Sequence, residues 1–194
     1  MKKFLFTTIL VASFGASTAH ANEVFADNSV SSALSGVSSA AAENLRDCLQ
    51  SDTQIASSKA IRACSKAYRA SIPLYDIRSD ILTRRGFLQL SAGRFDKASQ
   101  DFKSAAKLNK QNEFAYLGEG YAAILQQDYA KAAKFFNDCT SHDKTAPLAI
   151  YGLAMTKELS GDIQGAVQTY ERAAKMRPDW QAPRAELARV KSAI

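Results

Sequence analysis

Few side chains in this 194-residue chain are of the types that do covalent, acid–base or metal chemistry. The candidates are three cysteines, Cys48, Cys64 and Cys139, and two histidines, His20 and His142. No Cys/His cluster has the spacing of a zinc site. No glycine-rich loop follows a strand pattern, so no nucleotide fingerprint is present. The serine-rich stretch near the N-terminus has no base beside it that could activate a hydroxyl. We therefore expect no catalytic residues, no metal and no cofactor, and a protein that is not an enzyme. Three thiols allow at most one intrachain pair and leave one over. The residues do not by themselves say which two pair.

The chain opens with the features of an export signal. Lys2 and Lys3 are basic, residues 4–16 are mostly apolar, and Ala19-His20-Ala21 fits a small-x-small cleavage site with Asn22 as the new terminus. An uncleaved anchor is the competing reading, but the apolar run is shorter than the roughly 20 residues that span a bilayer. We expect residues 1–21 to be a signal peptide and the mature chain to be periplasmic, with no integral membrane segment after cleavage. His20 would leave with the signal, and so would two lysines, taking the net charge from +6 to +4. That mild excess is not a nucleic-acid footprint, so no nucleic-acid partner is expected. An oxidising compartment permits a disulfide. Residues 22–42 are Ser/Ala-rich and are expected to form a flexible leader that grades into helix near Ala40.

The rest of the chain is periodic. Gly86 and Gly120 are followed at the same 34-residue interval by Ala154. Ala98, Ala132 and Ala166 keep that interval, as do Phe102, Phe136 and Tyr170. Phe95, Tyr129 and Ile163 form a further series, and Ala105, Cys139 and Ala173 another. Between apolar runs of helical spacing lie Gly93-Arg94, Gln127-Asp128 and Gly161-Asp162, which suit helix ends and turns. A period of this length marks stacked helix pairs. One pair cannot bury its own apolar face, so several must stack.

These residues resemble the tetratricopeptide-repeat (TPR) family. Its pattern has small residues at positions 8, 20 and 27, an apolar one at 17 and an aromatic at 24. The resemblance covers about 115 residues. It implies an all-α fold: a right-handed superhelix of antiparallel helix pairs with a C-terminal capping helix. The implied layout is a TPR domain over 43–194, with a degenerate repeat at 43–78, repeats at 79–112, 113–146 and 147–180, and a cap at 181–194. Position 7 departs from the pattern, being Arg85, Glu119 and Leu153. Arg85 and Glu119 are expected near a groove edge, either supporting packing or as solvated charges. Residues 72–76 are expected to form a longer inter-repeat loop.

Counted in this register, Cys48 falls at position 8 and Cys64 at position 24 of the degenerate repeat, positions that face each other across a TPR helix pair. The resemblance therefore implies a Cys48–Cys64 disulfide, with two reduced buried thiols as the alternative. A cysteine-paired first repeat followed by Arg85-Gly86 is similar to a group of exported bacterial TPR proteins. Cys139, at a small position, is expected to be a buried structural thiol. His142 is expected at the C-terminal end of a helix.

The resemblance also implies a concave groove lined by the first helix of each repeat. Phe87, Phe114, Leu117, Tyr121, Tyr151 and Met155 are its expected contact residues, with Arg84 and Glu158 supplying polar specificity at the rim. The implied function is an adaptor that holds a protein or peptide partner in that groove, in envelope maintenance or assembly. The alternatives are a self-associating structural protein, with a homo-oligomer as its form, and a non-catalytic subunit of an envelope enzyme complex.

Overall fold

The structure is a computed structural model describing residues 38–53, 55, 57–70 and 75–194. The expected signal peptide at 1–21, residues 22–37 of the expected leader and residues 71–74 of the inter-repeat segment lie outside the described residues. Among the described residues the secondary structure is helical throughout. In chain order the helices are α1 (Ser39–Leu49), α2 (Ser58–Arg69), α3 (Tyr75–Ser91), α4 (Phe95–Leu108), α5 (Glu113–Leu125), α6 (Tyr129–Cys139), α7 (Ala146–Ser160), α8 (Ile163–Met176) and α9 (Gln181–Ser192). They form two compact units that divide between Ala115 and Tyr116.

The helix ends follow from local chemistry. Ser57, Asp128 and Asp162 cap α2, α6 and α8, each side-chain oxygen accepting a backbone N–H three residues on. The three expected turns each carry one residue in the left-handed region: Gly93 (φ 70°), Gln127 (φ 62°) and Gly161 (φ 94°). Each turn returns the chain antiparallel within about three residues. At Gln127 a non-glycine residue takes a conformation that glycine fills in the other two. α3 begins at Tyr75, so Tyr75 and Asp76 are helical rather than part of a loop. Asp76 sits in the first turn, where an acidic side chain complements the free N–H groups.

In the first unit, α1 and α2 pack as one pair and α3 and α4 as the next. The α1–α2 core joins Leu45, Leu49, Ile61 and Ala67 to Ile81 and Leu88 of α3. A disulfide joins Cys48 of α1 to Cys64 of α2, with the Cα atoms 4.6 Å apart and both residues fully buried. It stands where the later pairs have a small residue against an aromatic ring. Closing a loop of 16 residues stabilises by roughly 3 kcal/mol in the chain-entropy model. Cys48→Ser/Cys64→Ser is therefore expected to lose about that much. Hydrogen exchange should show the loss confined to α1, α2 and the start of α3, because repeat arrays lose stability locally. Uniform loss of protection along the whole chain would contradict this.

In the second unit, α7 packs against α6 and α8, and α9 covers the open side of α8. The periodic positions form the core: Ala132, Phe136, Ala154, Ala166, Tyr170 and Ala173 are all buried. Phe136 is held between two glycines. A Cβ at Gly120 would lie 2.7 Å from its ring, and one at Gly152 would lie 2.5 Å from it. Cys139 is buried and forms no disulfide, as its small position implied. His142 lies beyond the end of α6, where its carbonyl accepts from the Thr145 and Ala146 N–H groups.

Candidate functional site

The expected groove residues are nearly all taken up in packing. In the first unit Phe87 meets Phe102 edge-on at 5.0 Å between ring centroids. In the second, Tyr121 meets Phe136 in the same way at 5.0 Å, and its hydroxyl donates to the Leu148 carbonyl at 3.2 Å. Tyr151 lies between Tyr170 and Trp180, at 5.7 and 4.9 Å. Leu117, Tyr121 and Tyr151 are at most 1% exposed, whereas Met155 keeps 5% and Phe114 7%. The aromatic side chains at these positions form the walls of the helix pairs, and little of them reaches the surface.

The two expected rim charges are engaged inside the fold. Arg84 is 1% exposed and its Nη2 donates to the Ser51 carbonyl. Burial lowers its pKa to about 10, partly opposed by Asp52, so it stays charged at neutral pH. Glu158 holds the C-terminal helix in place. It accepts from Arg189 of α9 at 2.6 Å and from the Tyr170 hydroxyl at 3.0 Å.

Arg85 and Glu119 are not solvated charges, which corrects one of the two readings of position 7. Arg85 reaches across from α3 to α4 and donates from Nε and Nη2 to the two carboxylate oxygens of Asp101, at 2.8 and 2.6 Å. Its Nη1 donates to Ser65 at 3.1 Å, and Gln89 donates to Asp101 at 2.7 Å. The hydrogen bond to Asp101 raises the Arg85 pKa. Glu119 is buried, with Lys131 of α6 at 4.0 Å. The reason is geometric. Position 7 faces the second helix of its own pair, so a charge there must be matched inside.

A polar hub in the first unit went unread in the sequence. Asn112 is buried at the start of α5. Its amide donates to Ser79 (2.8 Å), Thr83 (3.0 Å) and Asp80 (3.2 Å), and its carbonyl oxygen accepts the Ala115 N–H. Burial, with a smaller contribution from Asp76, raises the Asp80 pKa from 3.8 to about 6. The fold therefore favours protonated Asp80. That stabilising contribution is complete below about pH 3.8 and is lost as pH rises through about 6. Asp80→Asn should stabilise the protein at neutral pH by roughly 1–2 kcal/mol. Its advantage over wild type should shrink as pH falls toward 5. Chemical denaturation of both proteins across this range checks it; an advantage independent of pH would refute the assignment.

With the pairs and their register described, comparison with known proteins is decisive. Residues 148–179, the α7–α8 pair, match the family model of the tetratricopeptide repeat. The chain contains a tetratricopeptide repeat. Its fold is similar to that of MamA (residues 41 to the end) from Desulfovibrio magneticus RS-1, with a TM-score of 0.61 and 15% identity, covering 81% of this chain and 87% of that one. It is 34% identical over 92 residues to cellulose synthase 1 operon protein C of Komagataeibacter xylinus. That match covers 47% of this chain and 7% of the relative. It is 30% identical over 97 residues to protein FlbA of Caulobacter vibrioides, covering 50% of this chain and 15% of the relative. The chain thus spans a small part of the curated relatives it matches. Within the TPR register, the positions that make the pairs are 8, 20, 24 and 27. Among the described residues no group of three or more His, Cys, Asp or Glu side chains is placed to hold a metal ion. No described helix is long and apolar enough to cross a membrane.

Proposed function

We propose that this TPR protein is a protein–protein interaction adaptor working in the periplasm, after export through its N-terminal signal. The supporting observation is the stack of helix pairs held by internal ring, cap and ion-pair contacts. Such a scaffold presents fixed helix faces to a partner without needing chemistry of its own. Within the second unit the proposed contact face is the exposed edge of the first helices. Met155, 5% exposed, borders it, and Leu117, Tyr121 and Tyr151 are buried in the helix pairs beneath. In the first unit Phe114, 7% exposed, has the corresponding role, and Phe87 and Arg84 are buried in the same unit. Glu158 acts at the second unit's rim through its hold on α9.

One relative is, by its name, a cellulose synthase operon protein, and the short match to it favours a role as a subunit of an envelope assembly. A photoreactive amino acid at position 155, with a control at the exposed Lys175, tests the reading in cells. Crosslinks to a distinct envelope protein from position 155 alone are expected. Crosslinks only to other copies of the chain would favour self-association instead, and crosslinks from neither position would remove the contact face. Fusing the first residues to a reporter that works only outside the cytoplasm tests export separately.

A further inference from the structure

The second unit contains an open cavity of about 610 Å³ bounded by α6, α7 and α8. Its wall combines the Tyr129 ring, Ala133 and Leu153 with the amides of Asn137 and Gln168. Its charged lining residues are Lys157 and Arg172, and no carboxylate lines it. Neither cation has an ion-pair partner among the described residues.

The repeat register shows what this place holds elsewhere in the chain. Leu153, Lys157 and Thr169 stand two periods after Arg85, Gln89 and Asp101. Asn137 takes the position of Ser65 on the preceding helix, once the four-residue slip after the first repeat is counted. In the first unit these four positions form a closed polar network around the Asp101 carboxylate, which accepts from Arg85 and Gln89. In the second unit the carboxylate is replaced by Thr169, whose hydroxyl is turned to its own helix and donates to the Gly165 carbonyl at 2.6 Å. The neutral donor Gln89 is replaced by the cation Lys157, and the long Arg85 side chain by the shorter Leu153. The position that holds an internal anion in one unit is thus an open, positively lined cavity in the other.

We propose that this cavity binds a carboxylate side chain from an acidic segment of a partner protein. The carboxylate would sit between Lys157 and Arg172, with an adjoining aliphatic group on Tyr129, Ala133 and Leu153. The anion is specified by the uncompensated charge, since an opposite charge at such a site favours association and its rate. A peptide segment fits better than a free ion because apolar wall adjoins the cations and the cavity is several side chains in volume. The surface joins α6 and α8 to the side of α7 that carries Leu153 and Lys157, and Met155 of the contact face proposed above does not line it.

The test uses the full mature chain and a fluorescent peptide of alternating leucine and glutamate, with its leucine–glutamine counterpart as the neutral control. The acidic peptide is expected to bind saturably and to weaken as ionic strength rises to about 0.15 M and beyond. Lys157→Ala/Arg172→Ala should weaken it about tenfold or more. Leu153→Arg/Thr169→Asp transplants the first unit's ion pair, fills the cavity from within and should abolish binding while keeping the fold. Circular dichroism and denaturation of each variant confirm folding. Met155→Ala, on the other face, should bind the peptide normally, so loss of the adaptor face and loss of this site give different patterns. Equal binding of the neutral peptide, or full binding by the transplant variant, would overturn the proposal. Citrate competing as tightly as the peptide would identify a small-anion site and also overturn it.

Discussion

Asp101→Ala is expected to destabilise the first unit by about 3 kcal/mol, among the largest effects of any single change in this chain. Asp101 is buried and accepts three side-chain hydrogen bonds from Arg85 and Gln89. The Arg85 side chain keeps about a fifth of its exposure and that of Asp101 less than a tenth. Removing the carboxylate leaves a guanidinium held in a poorly solvated place with a hydrogen bond to Ser65 and the Tyr68 ring 5.8 Å away, and breaking such a pair costs roughly 3–5 kcal/mol when fully buried. The partial exposure of Arg85 puts the expectation at the lower end. The double change Arg85→Met/Asp101→Leu should recover most of the loss, since it removes both charges and keeps the volume. Urea denaturation of the three proteins measures this. If the double variant is as unstable as Asp101→Ala, the damage is to packing and the ion pair is incidental.

Gly152→Ala is expected to cost about 2–3 kcal/mol, although it adds a single methyl group. The new Cβ would lie 2.5 Å from two atoms of the Phe136 ring. Phe136 is fully buried, and Gly120 presses it from the other side at 2.7 Å from where a Cβ would stand. The ring therefore has no space to retreat into, and overpacking of this kind costs roughly 1–3 kcal/mol. Phe136→Leu alone should also destabilise, by leaving a void. Combined with Gly152→Ala it should lose less than the two single changes together, because the smaller side chain makes room for the methyl. Such coupling is the signature of residues in direct contact. Strict additivity would place the two in separate environments and contradict the packing.

The core of the fold was legible because its demands are periodic. Small residues at 98, 132 and 166 and rings at 102, 136 and 170 recur wherever helices must approach closely, and all six are buried. The disulfide was legible once the family resemblance supplied the register, which sets Cys48 and Cys64 at facing positions. Gly152 was not, because its reason lies on the preceding pair: it accommodates Phe136 rather than a residue of its own repeat. Arg84 occupies the same register position in the repeat that follows Cys64, where the preceding helix offers a disulfide sulfur in place of a ring and leaves room for a long side chain. The Arg85–Asp101 pair was missed because position 23 carries no fixed residue type from repeat to repeat. Phe87, Tyr121 and Tyr151 were expected as groove contacts because periodicity places a residue on a helix face but does not say what covers that face. Here rings of the second helices and Trp180 cover it.

The buried thiol of Cys139 has a practical consequence. Cys48 and Cys64 are consumed by their bond, so in the oxidised protein Cys139 holds the chain's one thiol. Its alkylation by a small reagent must wait for the end of α6 to part from its neighbours. The reaction rate is then a clock for transient opening of a single helix pair, read at one atom in a native protein. Such a clock could follow how tightly each substitution or bound peptide holds the second unit closed.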